Sequence, residues 1–556
     1  MFLGLRASSL YARACKVRVS VRVFSTSGAL EPAGDSPDGP LFSASRKIRN
    51  LAVIAHVDHG KTSVVDQLLK SCVDAAQLTG SMDSNPLERE RGITILSKVT
   101  ALEHGGHLIN VVDTPGHADF GGEVERVLNM VDGVLLVVCA TEGVMPQTKY
   151  VLGKAVAKGL KAIVVLNKCD RDGARLGVVE NEIFDQFASY PEITDAQLDF
   201  PVVYCSARQG WTAGAVEDVA TASAAAVAGK PTHSMNHLLE TIVAHLPAPR
   251  ILGGAEAPFR MSVNLMDIDN FMGKTVIGRI QSGSIKVGDA VVALTREGVK
   301  TEESKVTKLF ARRGMARLQL TEASAGEIIE LAGLQTPVPT ATVAAAGVTK
   351  PLYADALDPP TMSMSFSVND SPLGGREGQY LTSSAITTRL QREAISNIAL
   401  EVKTGTDSAG ESIEVHARGE LQLAVLIETM RREGYEMSVS PPMVLFKSEI
   451  DPDTNRPVRM EPYEQLMVDV GEEHTGVVIE KCAARKAELK EFVQLGGGKA
   501  RLEFYAPSRG LIGEGAGERS EPGTEASRGA KRPVCRALHF ALRTYPPPPP
   551  QVSKVN

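Results

Sequence analysis

The stretch AHVDHGKTS, Ala55 to Ser63, constrains this chain more than any other, because it lies between a buried-strand pattern, NLAVIAH, and a helical one. Glycine, lysine and a hydroxyl residue at a strand-to-helix turn build a phosphate cradle: backbone N–H groups at the helix start face an anion, and the helix dipole favours it. Asp58, His59 and Gly60 form the turn, the N–H groups of Gly60 to Thr62 face the phosphates, Lys61 brings a point charge, and Thr62 and Ser63 bring hydroxyls. Ala55 stands where the generic pattern has glycine, and a small residue suffices there if the backbone torsions are ordinary. A rival takes His56, Asp58 and His59 as metal ligands, but so tight a spacing inside a phosphate loop aims them in different directions.

Later segments supply the remaining parts in the required order. RGIT, Arg91 to Thr94, offers the Thr94 hydroxyl from a loop. DTPGH, Asp113 to His117, ends a second buried strand, so the Asp113 carboxylate can join Thr62 and Thr94 around Mg²⁺ while the Gly116 N–H senses a γ-phosphate. NKCD, Asn167, Lys168, Cys169 and Asp170, follows another buried strand; the Asp170 carboxylate can accept two hydrogen bonds from guanine N1 and N2, which adenine does not offer in that geometry. The expected nucleotide is therefore GTP, with GDP as product. Ser206 and Ala207, after the next strand, are expected to offer a backbone N–H to the guanine O6. Each piece alone is an ordinary strand-end turn; together they describe one nucleotide site.

The rest of the chain sets the architecture. Its 556 residues are enough for several cores, and the formal charge of -6 excludes a protein that coats nucleic acid through a general positive field. Every long apolar run is interrupted, so no transmembrane segment and no membrane partner is expected. The seven cysteines lie apart without a CxxC pair, which argues against a disulfide framework or a thiolate zinc site; Cys139, Cys169 and Cys205 read as core thiols. Residues 1–45 are expected to be a transit peptide and linker: Arg6, Arg13, Lys16, Arg18 and Arg22 precede the first acidic residue, Glu31. Composition favours import into the mitochondrion, with a plastid as alternative, or the cytosol if the segment is a basic tail; its VRVSVRV alternates like a strand and forms no amphipathic helix.

The expected fold is multidomain. Residues 46–248 form an α/β phosphate-loop GTP-binding domain, with short β-branched runs as buried parallel strands. Residues 257–347 turn to glycine-punctuated strands and read as a β-barrel. Residues 358–441 follow the strand–helix–strand–strand–helix–strand order of a ferredoxin-like α+β unit. Residues 460–513 begin the same order and stop short of its second helix and last strand, leaving a sheet edge and an apolar face to be covered. Residues 514–556, with five consecutive prolines from Pro546, show no period and read as a disordered tail.

The ordered motifs are those of a translational GTPase, and MDSNPLERERGIT, GHADFGGEVERV, NKCDRDGAR, VNDSPLGGREGQYLTS, RGELQLAVLIETMRREGYE and YAPSRGLIG resemble the TypA/BipA family more than elongation factor G or LepA. The resemblance runs from about Lys47 to Gly513. It implies a monomeric, ribosome-associated GTP hydrolase acting in translation under stress or in ribosome assembly, whose His117 positions the attacking water once the ribosome presses it toward the γ-phosphate. Asp58 would help orient a phosphate-bridging cation, and Arg312, Arg313, Arg431 and Arg432 are candidates for rRNA contact or for a solvated face. Family members continue beyond SRGLIG into a further C-terminal domain; this divergence, read as an altered reading frame, should spare nucleotide binding and weaken ribosome docking. A GTP-regulated binding module with incidental hydrolysis is the reading from another class.

Overall fold

The computed structural model describes residues 41–43, 48–72, 86–228, 234–512 and 542–544, with short breaks at 254–255, 270, 315, 337–340, 354–358, 373, 398, 408–409, 451–456 and 497. Residues 1–40, the MDSN of MDSNPLERERGIT, Gly513 and all of 514–556 except the last short segment lie outside the described residues.

The β-branched runs of the first domain become a seven-stranded sheet. In chain order its strands are β1 (Ile48–Ala55), β2 (Lys98–His104), β3 (His107–Asp113), β4 (Gly133–Cys139), β5 (Lys161–Asn167), β6 (Val202–Ser206) and β7 (Trp211–Ala213). They pair in the order β2-β3-β1-β4-β5-β6-β7; the five from β3 to β6 are parallel and the outer two antiparallel. Alternate residues of β1 face opposite cores. Leu51 and Val53 pack with Val64, Leu68 and Leu69 of α1 (Lys61–Cys72), and Ala52 and Ile54 pack with the cluster holding α3 (Gly121–Leu128) and α4 (Pro146–Ala157). Between them α2 (Pro86–Arg91) precedes the RGIT segment. Both faces being covered, the loops at the carboxyl ends of β1, β3, β4, β5 and β6 converge on one edge, where parallel sheets bind ligands.

The second domain corrects the barrel expectation. Strands β8 (Arg260–Asp269), β9 (Gly273–Ser282), β10 (Ala290–Leu294), β11 (Lys300–Lys305), β12 (Lys308–Arg313), β13 (Ala316–Leu320), β14 (Ile328–Ala332) and β15 (Thr342–Ala345) pair in the order β11-β10-β15-β8-β9-β14-β12-β13, an open antiparallel sheet. Its two edges do not pair with each other. β11 reads KTEESK and is half to fully exposed along its length, and β13 exposes Arg317, Leu318 and Gln319 in part, so charge and solvent satisfy the edges without closure. A ribbon of Ser284–Lys286 with Glu322–Ser324 buries Ile285 and Ala323 against the same core. Arg126 of α3 donates to Asn264 O at 3.2 Å and the Asn264 amide returns a bond of 2.9 Å, joining this sheet to the first domain.

In the third domain, β16 (Met362–Val368), α5 (Ser383–Ser396), β17 (Glu401–Asp407), β18 (Gly410–Ala417), α6 (Glu420–Arg432) and β19 (Met437–Val439) give the strand order β17-β18-β16-β19, the ferredoxin-like arrangement. Ile386 and Leu390 of α5 and Leu423, Leu426 and Met430 of α6 cover one face.

The fourth unit repeats that order: β20 (Tyr463–Gly471), α7 (Thr475–Ala484), β21 (Glu488–Gly496), β22 (Lys499–Pro507) and β23 (Leu542–Thr544) pair as β21-β22-β20-β23. The expected lack of a last strand is corrected here, since Leu542–Thr544 pairs antiparallel with Gln465 to Met467 and takes up the open backbone groups of β20. A short helix, Ser508–Leu511, buries Leu511 where a second helix was expected to be missing. Within the segment expected to be transit peptide and linker, Leu41–Ser43 pairs with Arg250–Leu252, so the chain entering the first domain zips onto the chain leaving it.

Candidate nucleotide-binding site

The turn between β1 and α1 is held by groups from three other loops. Gly60 has φ +93°, and a Cβ there would lie 2.5 Å from Asn167 Nδ2, so glycine is required on two grounds. The buried Asn167 explains the crowding: its Nδ2 donates to His59 O at 2.9 Å, and its Oδ1 accepts the Ala207 N–H at 3.0 Å. Expected to face guanine O6, the Ala207 N–H is thus committed to Asn167, whose buried amide oxygen needs a donor. Ser206 is buried, with its hydroxyl accepting from Gln209 N at 3.2 Å. The Cys169 N–H donates to Cys205 O at 3.2 Å, and burial pushes the Cys169 thiol up to about 12, so it stays protonated. These bonds join the Gly60, Asn167 and Ala207 loops around an open cleft of ≈ 750 Å³, whose lining includes Asp58, Gly60 and Ser63 of the phosphate loop together with Lys168, Asp170, Arg171 and Arg208.

The histidines of the turn face inward. His59 is fully buried; its Nδ1 accepts the Cys139 N–H at 3.3 Å and its Nε2 lies 3.5 Å from Glu142 Oε2. Burial lowers the His59 pKa, while the contact with His59 holds the Glu142 carboxyl down at about 2. His56 packs edge-on against His59 at 5.1 Å, and burial, then the second ring, pull it down to about 3. Both rings are therefore neutral packing groups. Among the described residues no three His, Cys, Asp or Glu side chains converge as metal ligands, which overturns the rival reading of His56, Asp58 and His59.

At the start of α1, three oxygens meet on Thr62. Thr62 Oγ1 lies 3.0 Å from Thr94 Oγ1 and donates to Asp113 Oδ2 at 3.0 Å. Two hydroxyls and a carboxylate at a helix start are a hard-oxygen donor set that suits Mg²⁺, which takes few protein ligands and shares the rest of its sphere with phosphate and water. Thr94 is held there by Glu88: one carboxylate oxygen accepts the Ile95 N–H at 2.9 Å and the other takes the Lys98 ammonium at 2.6 Å. Lys61 is buried, and a Cβ on Gly116 would come within 2.8 Å of its Nζ, so the DTPGH loop packs directly on the lysine. His117 is 30% exposed at its side chain, and its Nδ1 accepts the Asp119 N–H at 3.2 Å. Asp119 in turn accepts the Leu421 N–H of the third domain at 3.0 Å.

Sequence patterns did not single out Glu88, Asp119, Glu142 or Gln147, whose amide oxygen accepts the Val57 N–H at 2.9 Å. Asp119 and Glu88 lie inside quoted motifs, but nothing in the spacing marks their partners, which fold in from other segments. The arginine candidates are paired with acids: Arg432 and Arg431 with Glu428, Arg432 also with Glu90, Arg313 with Glu103 at 3.3 Å and Arg312 with Glu330 at 3.8 Å. These ion pairs favour the solvated-face alternative.

Three family models match successive parts of the chain. Residues 46–248 match the family described as Elongation factor Tu GTP binding domain, 258–345 match Elongation factor G domain 2, and 458–515 match Elongation factor G C-terminus. The chain is 45% identical over 473 residues to the large ribosomal subunit assembly factor BipA of Haemophilus influenzae, covering 84% of this chain and 73% of that one. The proteins of the same name from Escherichia coli and Bacillus subtilis are 46% and 44% identical, over 84% of this chain and 74% and 73% of theirs. A crystal structure from Thermus thermophilus matches with a TM-score of 0.56 at 16% identity, over 84% of this chain and 94% of that chain, a likeness of fold.

Proposed function

The chain belongs to the BipA (TypA) family of GTPases, and from that premise we propose that it hydrolyses GTP on the ribosome, in large-subunit assembly or in translation under stress. The observation that carries this is the meeting of the Thr94 hydroxyl and the Asp113 carboxylate on Thr62 Oγ1, each at 3.0 Å, with His117 closing the same DTPGH segment that Asp113 opens.

Asp170 reads guanine N1 and N2, while Asn167 keeps the base loop fastened to the phosphate loop. The N–H groups of Gly60 to Thr62 and the Lys61 ammonium take the β- and γ-phosphate oxygens, and Gly116 lies close enough to Lys61 to share the γ-phosphate with it. Thr62, Thr94 and Asp113 would hold Mg²⁺, which when bound neutralises charge on the phosphate oxygens. Because Nδ1 of His117 is occupied by the Asp119 N–H, the neutral ring carries its proton on Nε2, the nitrogen left to orient the attacking water. The arginines lining the cleft, Arg171 and Arg208, directly follow Asp170 and Ala207 of the base-recognition motifs rather than the phosphate loop, so turnover by the isolated chain should be slow. Loss of the γ-phosphate frees the Thr94 and Gly116 loops and lowers affinity for the ribosome. The basic, serine-containing N-terminal segment supports import into the mitochondrion, testable by an organelle import assay. The chain acts as a monomer, testable by light scattering.

The decisive experiment measures phosphate release from GTP with and without ribosomes. We expect ribosomes to raise the rate at least about tenfold, and His117→Ala to lower the stimulated rate by about 10²- to 10⁴-fold with GTP affinity within about twofold. Nucleotide-dependent ribosome binding without stimulated turnover would favour a binding module instead.

A further inference from the structure

One helix of the third domain touches both loops that carry the γ-phosphate groups. At its start, the Leu421 N–H donates to Asp119 Oδ2 at 3.0 Å, although the two residues are 302 positions apart. Gly419, just before the helix, packs so closely that a Cβ there would come within 2.0 Å of Asp119 Cγ. Along the helix, Leu421 and Val425 pack on Leu87, Ile95 and Phe120, which flank Thr94 and His117 in sequence. At its far end Arg432 makes two bonds to Glu90 of α2, at 2.9 and 2.6 Å.

Asp119 is the link that reaches the chemistry. Only 7% exposed, its carboxylate occupies the positive end of α6, where an anion is favoured and the first N–H groups lack intrahelical acceptors. Its backbone N–H, in the same residue, holds Nδ1 of His117 at 3.2 Å, and Asp119 Oδ1 lies 3.5 Å from that nitrogen. Moving the carboxylate off the helix therefore moves the N–H that assigns the ring its tautomer and direction.

Resting on the role given to His117 above, we propose that Asp119 is a positioning residue: seated on the start of α6, it orients His117, so that the seating of the third domain against the GTP-binding domain sets the rate of hydrolysis. Binding of GTP, which depends on groups of the first domain alone, is independent of that seat.

Gly419 offers a test from outside the GTP-binding domain. It has φ −149° and ψ 162°, extended backbone that alanine adopts freely, so Gly419→Ala acts through its contact with Asp119. The measurement is single-turnover phosphate release from GTP on ribosomes, with nucleotide affinity and melting midpoint, for full-length Gly419→Ala, Asp119→Ala, the double variant and Asp119→Asn. We expect each alanine variant to lose at least about tenfold in rate, since small misplacements of a reacting group have effects of that size, with GTP affinity within about twofold. The double variant should be no slower than Asp119→Ala alone, because both act on one link. Asp119→Asn keeps an oxygen for Leu421 and the backbone N–H for His117, and should recover most of the rate. A wild-type rate for Gly419→Ala, multiplying effects in the double variant, or an Asp119→Asn rate as low as that of Asp119→Ala would overturn the proposal. Should Gly419→Ala not fold, the Asp119→Asn against Asp119→Ala comparison decides alone. His117→Ala separates the two levels: full activity there removes the role of His117 itself, whereas a slow His117→Ala beside a fast Gly419→Ala removes only the link to the third domain.

Discussion

Around the NKCD loop, Asn167 binds both His59 and Ala207, and Cys169 binds Cys205, so these supports of the base-recognition loop begin and end in the first domain. At the phosphate end, Asp119 leans on Leu421 and Glu90 on Arg432, and the loops carrying Thr94 and His117 share an apolar cluster with Leu421 and Val425. The same sheet edge thus carries one end that a single domain completes and one that two domains complete together. Recognition can be preorganised within a domain, where supporting bonds are numerous and buried, while a catalytic step that waits for a partner benefits from supports that a moving domain can supply or withdraw.

The largest effect should come from breaking the self-contained end. Gly60→Ala puts a side chain at φ +93° and drives it into Asn167, and GDP affinity measured by calorimetry should fall about 100-fold, or ~3 kcal/mol. An unchanged affinity would show that Asn167 is not fastened to the loop as described. Asp170→Asn should weaken GTP about 20-fold by removing a charged acceptor and should shift preference toward xanthosine triphosphate, whose edge re-pairs with an amide. Competition between the two nucleotides reads this directly, and an unaltered preference removes Asp170 from the base pocket.

A smaller, graded effect belongs to the buried histidines. His56 titrates at about 3 in the folded chain against an ordinary 6.5, so on acidification the unfolded chain takes up the proton first. Its contribution to stability is complete above pH 6.5 and declines from there toward pH 3, by at most about 1.4 kcal/mol per pH unit. Glu142, lowered from 4.5 to about 2, has its contribution in place above pH 4.5 and loses it on approach to 2, so unfolding midpoints in urea between pH 7 and 5 leave it out, and the comparison of wild type with a His56 variant removes the upward-shifted Glu123 and Glu327, which are common to both. His56→Gln should flatten that slope; an unchanged slope would assign the pH dependence elsewhere. The smallest effect is expected at the two-domain end, where Arg432→Ala removes exposed ion pairs to Glu90 and Glu428 and should leave the unfolding midpoint unchanged within error. A clear loss there would mean that α6 grips the first domain more by charge than by the Leu421 and Asp119 contacts.

How much of this could be read before folding follows the range of each interaction. The phosphate loop, RGIT, DTPGH and NKCD are local: torsions and side chains within a few residues specify each, and all but RGIT lie at the ends of the β-branched runs read as buried strands. Glu142 became visible only when β4 carried its loop beside His59, and Asp119 only when a helix from the third domain arrived above it. The open sheet of the second domain and the Leu542–Thr544 strand were missed for a related reason. A three-residue strand has no readable period, and whether two edges meet depends on sheet curvature, to which no single segment testifies.

The amino-acid order by itself set the kind of ligand to expect and the candidate side chains for it, because phosphate and guanine are recognised by short, contiguous pieces of backbone with fixed residue types. Only the tertiary structure decided what stands behind those pieces: which carboxylate steadies His59, which amide is already spent on Asn167, and which domain holds the group beside His117. Those choices rest on contacts between residues up to 302 positions apart, and their energies exist only once the packed cores have brought the segments together.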